Sequence, residues 1–392
     1  MSAVSVPTEA DFAALTSTVQ TLLGRQALVL RPEDYVAGGQ DPVDWTAAFT
    51  ALMDDLEGSL ASDEGGSVPV CTAVVLLSGA SYPVSGTIMV AKPGRAEGLT
   101  ITGLGKRTSE IVKTGPGPLF VNQDRWMGVR IRDCSFRGAA SGAEFLYSYA
   151  STGAQDWGFD NVEWRGTWNY GIGLDGNNLN SEFGWNNCQV GGDYGIAFLY
   201  GGMQPAISQQ DQFLNYWFND CKIEFNSGTF IRMDRGGFVK CQGGSYILEG
   251  TRADGGISQF FDFPVAGHAD SVQKLAVRDV RFELRNATHR VITSLWNGQV
   301  VFDGCSDTAL GFEPFSSALV TSDYTNPGMV AYRNCDLTGK HAYHATAPLV
   351  RQLALYEGCT RKNNRTAATF LVTDGADASS LRFVYVADGD NI

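Results

Sequence analysis

The most informative absence in this sequence is that of long apolar runs. No stretch of 18 apolar residues occurs among the 392 residues, so the sequence predicts no segment that spans a bilayer. The N-terminal residues MSAVSVPTE lack a basic region followed by an apolar run, which predicts synthesis in a cytoplasm without a secretory signal. Basic residues are also scarce: 29 Lys and Arg against 42 Asp and Glu leave a net charge of −13. Because an acidic surface repels nucleic acid and anionic membranes, neither is expected as a partner.

The sequence is equally poor in the motifs of several catalytic classes. It has only four His, and it contains no nucleophile elbow, P-loop, HExxH or CxxC motif. His341 and His344 lie three residues apart without an accompanying ligand cluster, which favours a surface loop over a metal site. The sequence therefore predicts neither a metal site nor a cofactor.

What the sequence has in abundance is glycine, at 46 residues, together with a repeated pattern. Apolar residues alternate with polar ones, a turn residue follows, and then comes a Cys or a Val. Copies lie 20 to 39 residues apart, an irregularity that favours β-helix coils over leucine-rich repeats or propeller blades. The copies centre on Cys134, Val162, Cys188, Cys221, Cys241, Val280, Cys305, Cys335 and Cys359.

Each copy is predicted to form two short strands joined by a corner. The residue before each Cys or Val shifts the alternation by one position, which is what a bend requires. Eight of the nine corner residues are Asn, Asp or Gly, the types that most readily adopt positive φ, and Lys240 is the exception. The corner residues are Asp133, Asn161, Asn187, Asp220, Lys240, Asp279, Gly304, Asn334 and Gly358.

These features predict an all-β chain folded as a right-handed parallel β-helix. Equivalent residues of successive coils then stack about 4.8 Å apart, so the Cys and Val form an internal column of buried side chains with free thiols. A second, largely aromatic column is predicted beside it. Its members are Ile131, Phe159, Trp185, Phe218, Phe238, Val277, Phe302, Tyr332 and Tyr356.

Two helical segments are predicted before the first coils. Residues 44–57 have one apolar face with Asp44 as the N-cap, which suits a helix that covers the open end of the β-helix. Residues 8–29 carry Phe12, Leu15, Val19 and Leu22 at heptad spacing. This second segment is either a helix packed on the β-helix end or a coiled coil that trimerises or docks the chain. The predicted division is therefore a helical segment over 1–30 and a β-helix domain over 31–392.

The segment DYVAGGQDPVDWTAAFTALMDDL (34–56) resembles the entry motif of the pectate-lyase-like superfamily, which includes phage tail proteins and polysaccharide depolymerases. The stretches GGSVPVCTAVVLLSGASYPVSGTIMV (65–90) and GLTITGLGKRTSEIV (98–112) are similar to the first coils of that family. Val36 stands where the family usually has Gly. The resemblance covers roughly residues 34–390. It implies the β-helix fold, and it implies trimers that attach through their N-termini.

Candidate site residues are carboxylates and aromatic residues. Asp175, Asp234 and Asp262 follow strands of successive or nearly successive coils, where carboxylates would lie roughly 5 or 10 Å apart, near the separations used in glycoside hydrolysis. Turn capping is the competing interpretation, because Asp175 precedes Gly176 and Asp234 lies near Gly236. Outward aromatic residues are predicted to form either a glycan groove or a subunit interface. They are Trp168, Tyr170, Tyr194, Tyr200 and Trp217.

Two functions are compatible with these features. The first is a virion tail-associated structural and adhesion protein, a tailspike or minor tail protein, that forms a homotrimer, joins other tail proteins through its N-terminal segment and contacts host-surface polysaccharide. The second is a polysaccharide depolymerase, a glycoside hydrolase or lyase, that uses carboxylates on a β-helix face. The absence of an obvious acid cluster, the heptads and the missing signal favour the first.

Overall fold

The structure is a computed structural model of the 392-residue chain. It describes residues 28–38, 42–62, 68–90, 92, 94–123, 125–149, 155–175, 180–203, 215–234, 236–264, 273–286, 288–294, 298–307, 315–319, 329–337, 341–345, 353–361, 371–375 and 382–386. The predicted heptad segment, apart from its last two residues, lies outside these ranges, and the division at residue 30 stays a prediction.

The chain is a right-handed parallel β-helix, as the repeat predicts. One wall is sheet 1, in which 13 strands pair in parallel in chain order. Its strands are β1 (Leu28–Leu30), β4 (Ala73–Leu76), β7 (Thr100–Thr102), β11 (Val129–Arg132), β14 (Trp157–Asp160), β16 (Phe183–Asn186), β18 (Asn215–Asn219), β21 (Gly237–Gln242), β24 (Gln273–Arg278), β27 (Gln299–Asp303), β30 (Met329–Arg333), β33 (Leu353–Glu357) and β36 (Arg382–Val386).

The rest of each coil belongs to sheet 2, which has 19 strands. Two long strands, β15 (Glu163–Leu174) and β17 (Gln189–Gly201), each form both the segment after the predicted corner and the next wall of the coil. They therefore join these two parts into one sheet. The strands are β5 (Ser81–Val84), β8 (Glu110–Lys113), β9 (Gly117–Gln123), β12 (Ser135–Gly138), β13 (Ala143–Tyr149), β15 (Glu163–Leu174), β17 (Gln189–Gly201), β19 (Lys222–Ser227), β20 (Thr229–Met233), β22 (Ser245–Leu248), β23 (Ser258–Phe263), β25 (Arg281–Leu284), β26 (His289–Ser294), β28 (Ser306–Asp307), β29 (Phe315–Leu319), β31 (Asp336–Leu337), β32 (His341–Ala345), β34 (Thr360–Arg361) and β35 (Leu371–Gly375).

The N-terminal end carries the remaining elements. A 3-10 turn (Pro32–Tyr35) precedes helix α1 (Thr46–Gly58), and a small sheet 3 contains β2 (Leu60–Ser62), β3 (Pro69–Cys71), β6 (Ala96–Glu97) and β10 (Trp126–Met127). Helix α1 buries Phe49, Leu52 and Leu56, and the Phe49 ring meets Tyr82 edge to face at 5.6 Å. Asp44 precedes the N-cap residue, and its carboxylate accepts the Thr46 N–H at 2.9 Å. Among the described residues, no helix is long and apolar enough to cross a membrane.

The corners adopt the conformation that their residue types predict. All eight Asn, Asp and Gly corners have φ between 49° and 65°. Polar corner side chains also pair between coils: the Asn161 amide donates to the Asp133 carboxylate at 2.7 Å. Because L-residues are strained at positive φ, these short polar residues and glycines are the types that allow the chain to turn at the same place in each coil.

Lys240 is not a corner residue, and the predicted copy at Phe238–Cys241 is wrong. Strand β21 continues to Gln242, and Gly243, at φ 67°, makes the turn. Cys241 pairs in register with Phe218 and Val277, so it belongs to the aromatic column, whereas Phe238 points outward. The glycine pair Gly243–Gly244 carries the positive φ and begins three residues after Lys240, the corner that the sequence pattern predicted.

The interior contains the two predicted columns with this one exchange. The seven cysteines of the repeat are buried, and all eight cysteines are free thiols, as predicted. In the second column Trp185 stacks on Phe218 with ring centroids 4.1 Å apart and planes 5° apart. Strong apolar contact between coils therefore holds the solenoid together along its axis.

Candidate functional site

One line of side chains crosses the outer surface of sheet 2 along the β-helix axis. The strand register pairs Tyr147 with Gly173, Gly173 with Tyr200, Tyr200 with Arg232 and Arg232 with Asp262. Since neighbouring strands lie about 4.8 Å apart, two aromatic residues, a cation and a carboxylate follow one another over four coil steps.

Arg232 organises the centre of this line. Its Nε lies 2.8 Å from Oδ1 of Asp234, its Nη1 lies 3.5 Å from Oδ2 of Asp262, and its guanidinium lies 5.7 Å from the Tyr200 ring centroid. The Tyr200 hydroxyl donates to Oδ2 of Asp234 at 2.8 Å. These four residues are called the Arg232 cluster below. The structure brings together three of the residues that the sequence singled out, Asp234, Asp262 and Tyr200, through a cation that the sequence did not predict.

The two carboxylates of the cluster have different environments. Burial raises the pKa of Asp262, and the neighbouring Asp234 adds to the effect, while Arg232 acts in the opposite direction. Asp262 is 9% exposed, whereas Asp234 is less enclosed and accepts hydrogen bonds from both Arg232 and Tyr200. Burial, together with the hydrogen bond from Tyr200 to Asp234, raises the pKa of Tyr200 to about 12. At neutral pH the cluster therefore presents a protonated phenol, and burial raises the pKa of one of its two acids, Asp262.

Polar atoms without partners lie beside Asp262. The next strand places Thr293 directly against Asp262 in register, and its Oγ1 is buried without a hydrogen bond among the described residues. The Gln259 side chain hydrogen-bonds Asp262, but its Oε1 is also buried without a hydrogen bond among the described residues. Buried polar atoms usually have hydrogen-bond partners, so two unpartnered oxygen atoms beside Asp262 are unusual.

Asp175 does not join the cluster. Its carboxylate is buried, at 4% exposed, and accepts from the Asn180 amide at 2.5 Å. The Asn180 amide in turn contacts Ser148, both through the Ser148 hydroxyl and through its carbonyl oxygen. This network ties Asp175 to Asn180 and Ser148, and the turn-capping interpretation stays a prediction because residues 176–179 lie outside the described ranges.

Three of the predicted outward aromatic residues are buried, so the prediction that they face outward, in a glycan groove or a subunit interface, is wrong for these three. Trp168 packs on Phe145, Tyr194 packs on Phe198 and Phe225, and Tyr170 donates its hydroxyl to Glu144 at 2.7 Å. Their alternation is displaced because β15 and β17 bend again at glycines of positive φ and shift register between Trp168 and Tyr170. Of the remaining two, Tyr200 lies on sheet 2 and Trp217 on sheet 1.

The sequence interpretation missed a second aromatic pair on the same line. Tyr147 and Tyr149 stack with ring centroids 5.0 Å apart, and the Tyr149 hydroxyl donates to Gln123 at 2.6 Å. Both rings are partly exposed. Strict alternation would place Tyr147 and Tyr149 on the same face as the buried Phe145. Phe145 and Leu146 are both buried, so the pattern slips by one residue there, and alternation alone gave no signal for this pair.

No metal site accompanies these groups in the part of the chain that the structure describes. There, no set of three or more His, Cys, Asp or Glu side chains is arranged to hold a metal ion. His341 and His344 lie in strand β32 rather than in the surface loop that the sequence predicted.

Comparison with solved structures relates the chain to viral and carbohydrate-active β-helices. A variant of the tailspike protein of Escherichia coli bacteriophage HK620, in complex with a pentasaccharide, superposes with a TM-score of 0.51 at 11% identity, over 95% of this chain and 67% of the tailspike. The ORF18 protein of Geobacillus virus E2 gives 0.48 at 13% identity, over 95% of this chain and 66% of that protein. The A-module of mannuronan C-5 epimerase from Azotobacter vinelandii gives 0.45 at 12% identity, over 92% of this chain and 98% of the module.

The likeness to the tailspike, at 11% identity, concerns the fold alone. The chain spans about two thirds of the length of the two viral proteins. No family model and no curated protein sequence matches the chain. What the outer surface does must therefore be argued from its own residues.

Proposed function

We propose that this protein is a virion tail-associated adhesion protein that contacts host-surface glycans through the Arg232 cluster and the Tyr147–Tyr149 pair. The observation that carries the proposal is the line of outward aromatic rings, cation and carboxylates along one face of sheet 2. Aromatic faces pack on the C–H faces of sugars, and the flanking carboxylates and guanidinium can hydrogen-bond hydroxyls. That a β-helix tailspike of similar fold binds a pentasaccharide supports this proposal.

The charge of the cluster favours a neutral glycan. Among its members, one guanidinium faces two carboxylates, and the chain as a whole carries a net charge of −13. A polyanionic glycan would be repelled by this surface, since unpaired like charges oppose association.

Binding of labelled cell-surface polysaccharide tests the proposal, and the chain supplies a matched control. Arg232–Asp234 and Arg252–Asp254 are both Arg-x-Asp ion pairs, with Nε to Oδ1 distances of 2.8 and 3.0 Å, but only the first contacts a Tyr and a second acid. Asp234→Asn is expected to weaken binding at least about tenfold, whereas Asp254→Asn leaves it unchanged. Equal effects of the two substitutions would reject the Arg232 cluster as the glycan contact.

A second candidate function is a polysaccharide depolymerase, favoured by the unequal acids of the cluster. Asp262, with its raised pKa, would act as the general acid, and Asp234, held in place by Arg232 and Tyr200, would act as the second carboxylate. The measurement is the release of new reducing ends and of ultraviolet-absorbing unsaturated ends from cell-wall and capsular polysaccharides. Release that is lost in Asp262→Asn and kept in Asp254→Asn supports the enzyme. Retained binding without release supports the adhesin.

We propose, in addition, a homotrimer that joins other tail proteins through residues 1–30. The heptad spacing of Leu15 and Leu22 supports this arrangement. Leu15→Glu combined with Leu22→Glu in the full chain should lower the molar mass in light scattering to that of one chain while the far-ultraviolet circular dichroism stays unchanged. An unchanged mass would mean that the segment does not assemble the protein.

A further inference from the structure

A second surface feature lies on sheet 1, away from the Arg232 cluster. Trp217, on β18, points outward and is partly exposed. Among the described residues its indole contacts no other ring and forms no hydrogen bond, in contrast to Trp185 or Trp157 in the core, which stack on neighbouring rings. The exposed part of the indole is an apolar aromatic face with a polar N–H edge, which can pack against one face of a ligand and hydrogen-bond at its rim.

The floor beside Trp217 is bare backbone. The register places Gly184 directly next to Trp217, and Gly158 on the other side of Gly184. A Cβ added to Gly184 would meet no described atom within 4 Å, so the neighbouring side chains do not fill this space. Glycine weakens a strand and often marks a place where a ligand or another backbone approaches closely.

Polar groups border this open floor on two sides. Arg130 lies across Gly158, where an added Cβ would be 2.9 Å from its Cδ, and both oxygens of Asp156 hold its Nη2 at 2.9 and 3.0 Å. Along the strand ends, the Asn186 and Asn219 amides form a ladder, each donating at 2.9 Å to the side chain of the preceding coil. Each amide in the ladder keeps further hydrogen-bonding capacity toward solvent, because its nitrogen has two N–H groups and its oxygen two lone pairs.

We propose that Trp217, the Gly184 floor and the Asn186–Asn219 ladder form a second carbohydrate site that takes one pyranose ring of a neutral glycan. The ring packs its C–H face on the indole, lies over Gly184 and exchanges hydrogen bonds with the amides. Lys240, on the next strand, is the register neighbour of Trp217, and Arg130, on the far side of Gly158, is paired with Asp156. The ligand class rests on the proposed function, but the site itself is independent of the Arg232 cluster.

Fluorine NMR of the full chain labelled with 5-fluorotryptophan tests this site, with the Trp217 resonance assigned by its loss in Trp217→Phe. The probes are the methyl pyranosides of glucose, galactose and mannose and free N-acetylglucosamine, with glycerol as a control polyol. At least one sugar should shift the Trp217 resonance saturably, without moving the buried tryptophans, and glycerol should not. The absence of a saturable shift with all four sugars overturns the proposal.

Two substitutions that introduce the same side chain, valine, locate the binding. Gly184→Val fills the open floor and should weaken sugar binding at least about tenfold, because the side chain occupies the position of the ring. Ala276→Val, on the same outward face of sheet 1 two strands beyond Trp217, should leave binding unchanged. Equal shifts in wild type and Gly184→Val would overturn the proposal. So would a Trp217 resonance that moves with protein concentration alone, because the face would then be an interface between copies of the chain.

The same spectra separate this site from the proposed function. Asp234→Asn should keep the Trp217 shift even though it loses polysaccharide binding at the Arg232 cluster. Loss of the Trp217 shift in Asp234→Asn would mean that the two surfaces form one site, contrary to the proposal.

Discussion

The stacked core offers a sharp test of how buried tryptophans stabilise this solenoid. Trp157 and Trp185 are both fully buried in sheet 1, at 1% and 0% exposed. They differ in one respect: Nε1 of Trp157 donates to the Trp126 carbonyl at 3.3 Å, whereas Nε1 of Trp185 has no partner among the described residues. Substitution by Phe removes the same atoms from both, so the cavity contribution should be similar in the two variants.

The hydrogen bonds then decide the difference. Trp157→Phe loses a net contribution of about 1 kcal/mol, and Trp185→Phe removes a buried unsatisfied donor that costs about 1–3 kcal/mol. The free energy of unfolding of Trp157→Phe should therefore fall below that of Trp185→Phe by about 2 kcal/mol or more. Trp164, whose Nε1 is also unpartnered, should behave as Trp185 does when it is replaced by Phe.

Far-ultraviolet circular dichroism during unfolding in guanidinium chloride measures these free energies when the transition is reversible. When it is irreversible, the unfolding rates of the variants are compared instead. A cost for Trp185→Phe equal to or larger than that for Trp157→Phe would refute the reasoning. It would mean that stacking on Phe218, rather than polar satisfaction, dominates the energy of these rings.

Three further results are expected. Gly304→Ala should lower the free energy of unfolding by about 1–2 kcal/mol, because φ is 65° at this corner and the new Cβ would lie 2.4 Å from Oδ1 of Asp279. Gly184→Ala is the control and should not destabilise the protein, because the new Cβ lies in open space. Equal costs of the two substitutions would contradict the role of the corner. Burial raises the pKa of Asp262 in the folded protein above its pKa of ~3.9 in the unfolded chain. As the pH rises from the unfolded pKa to the folded pKa, wild type should therefore lose stability relative to Asp262→Asn. A difference in melting temperature between the two proteins that is the same at pH ~3 and pH ~8 would contradict this. A thiol reagent should modify one cysteine rapidly in the native protein, Cys71, which is the only one of the eight that is not buried, and a rapid reaction that persists in Cys71→Ser would refute this.

The β-helix itself could be predicted because its signal is local and repeated. A corner needs a residue that tolerates positive φ, and the alternation slips by one at the same point, so Asn161 or Asn334 marks the turn with few alternatives. The prediction failed at Lys240, because Cys241 was assigned to the column of Cys and Val residues although it belongs to the aromatic column. The true turn, Gly243–Gly244, has the same chemistry, but it lies two residues beyond the cysteine.

The candidate site was predicted only in part. Asp234 follows β20 and Asp262 lies near the end of β23, and both could be singled out as acids at strand ends. Arg232 lies within a strand, where an outward cation usually has no special role. The aromatic residues near Gly166 and Gly192 were misplaced, because a second bend inside β15 and β17 reverses which side chains face inward. Trp168 and Tyr194 are consequently core residues.

The sequence by itself determined the fold class, the corners and most of the interior columns, because these depend on residue types within a few positions of one another. Only the tertiary structure decided which outward residues meet. Tyr200, Arg232 and Asp262 lie about 30 residues apart in sequence and become neighbours because the register of successive coils aligns them. That register depends on the lengths of the connecting loops and on the second bend, and neither follows from the alternation of apolar and polar residues.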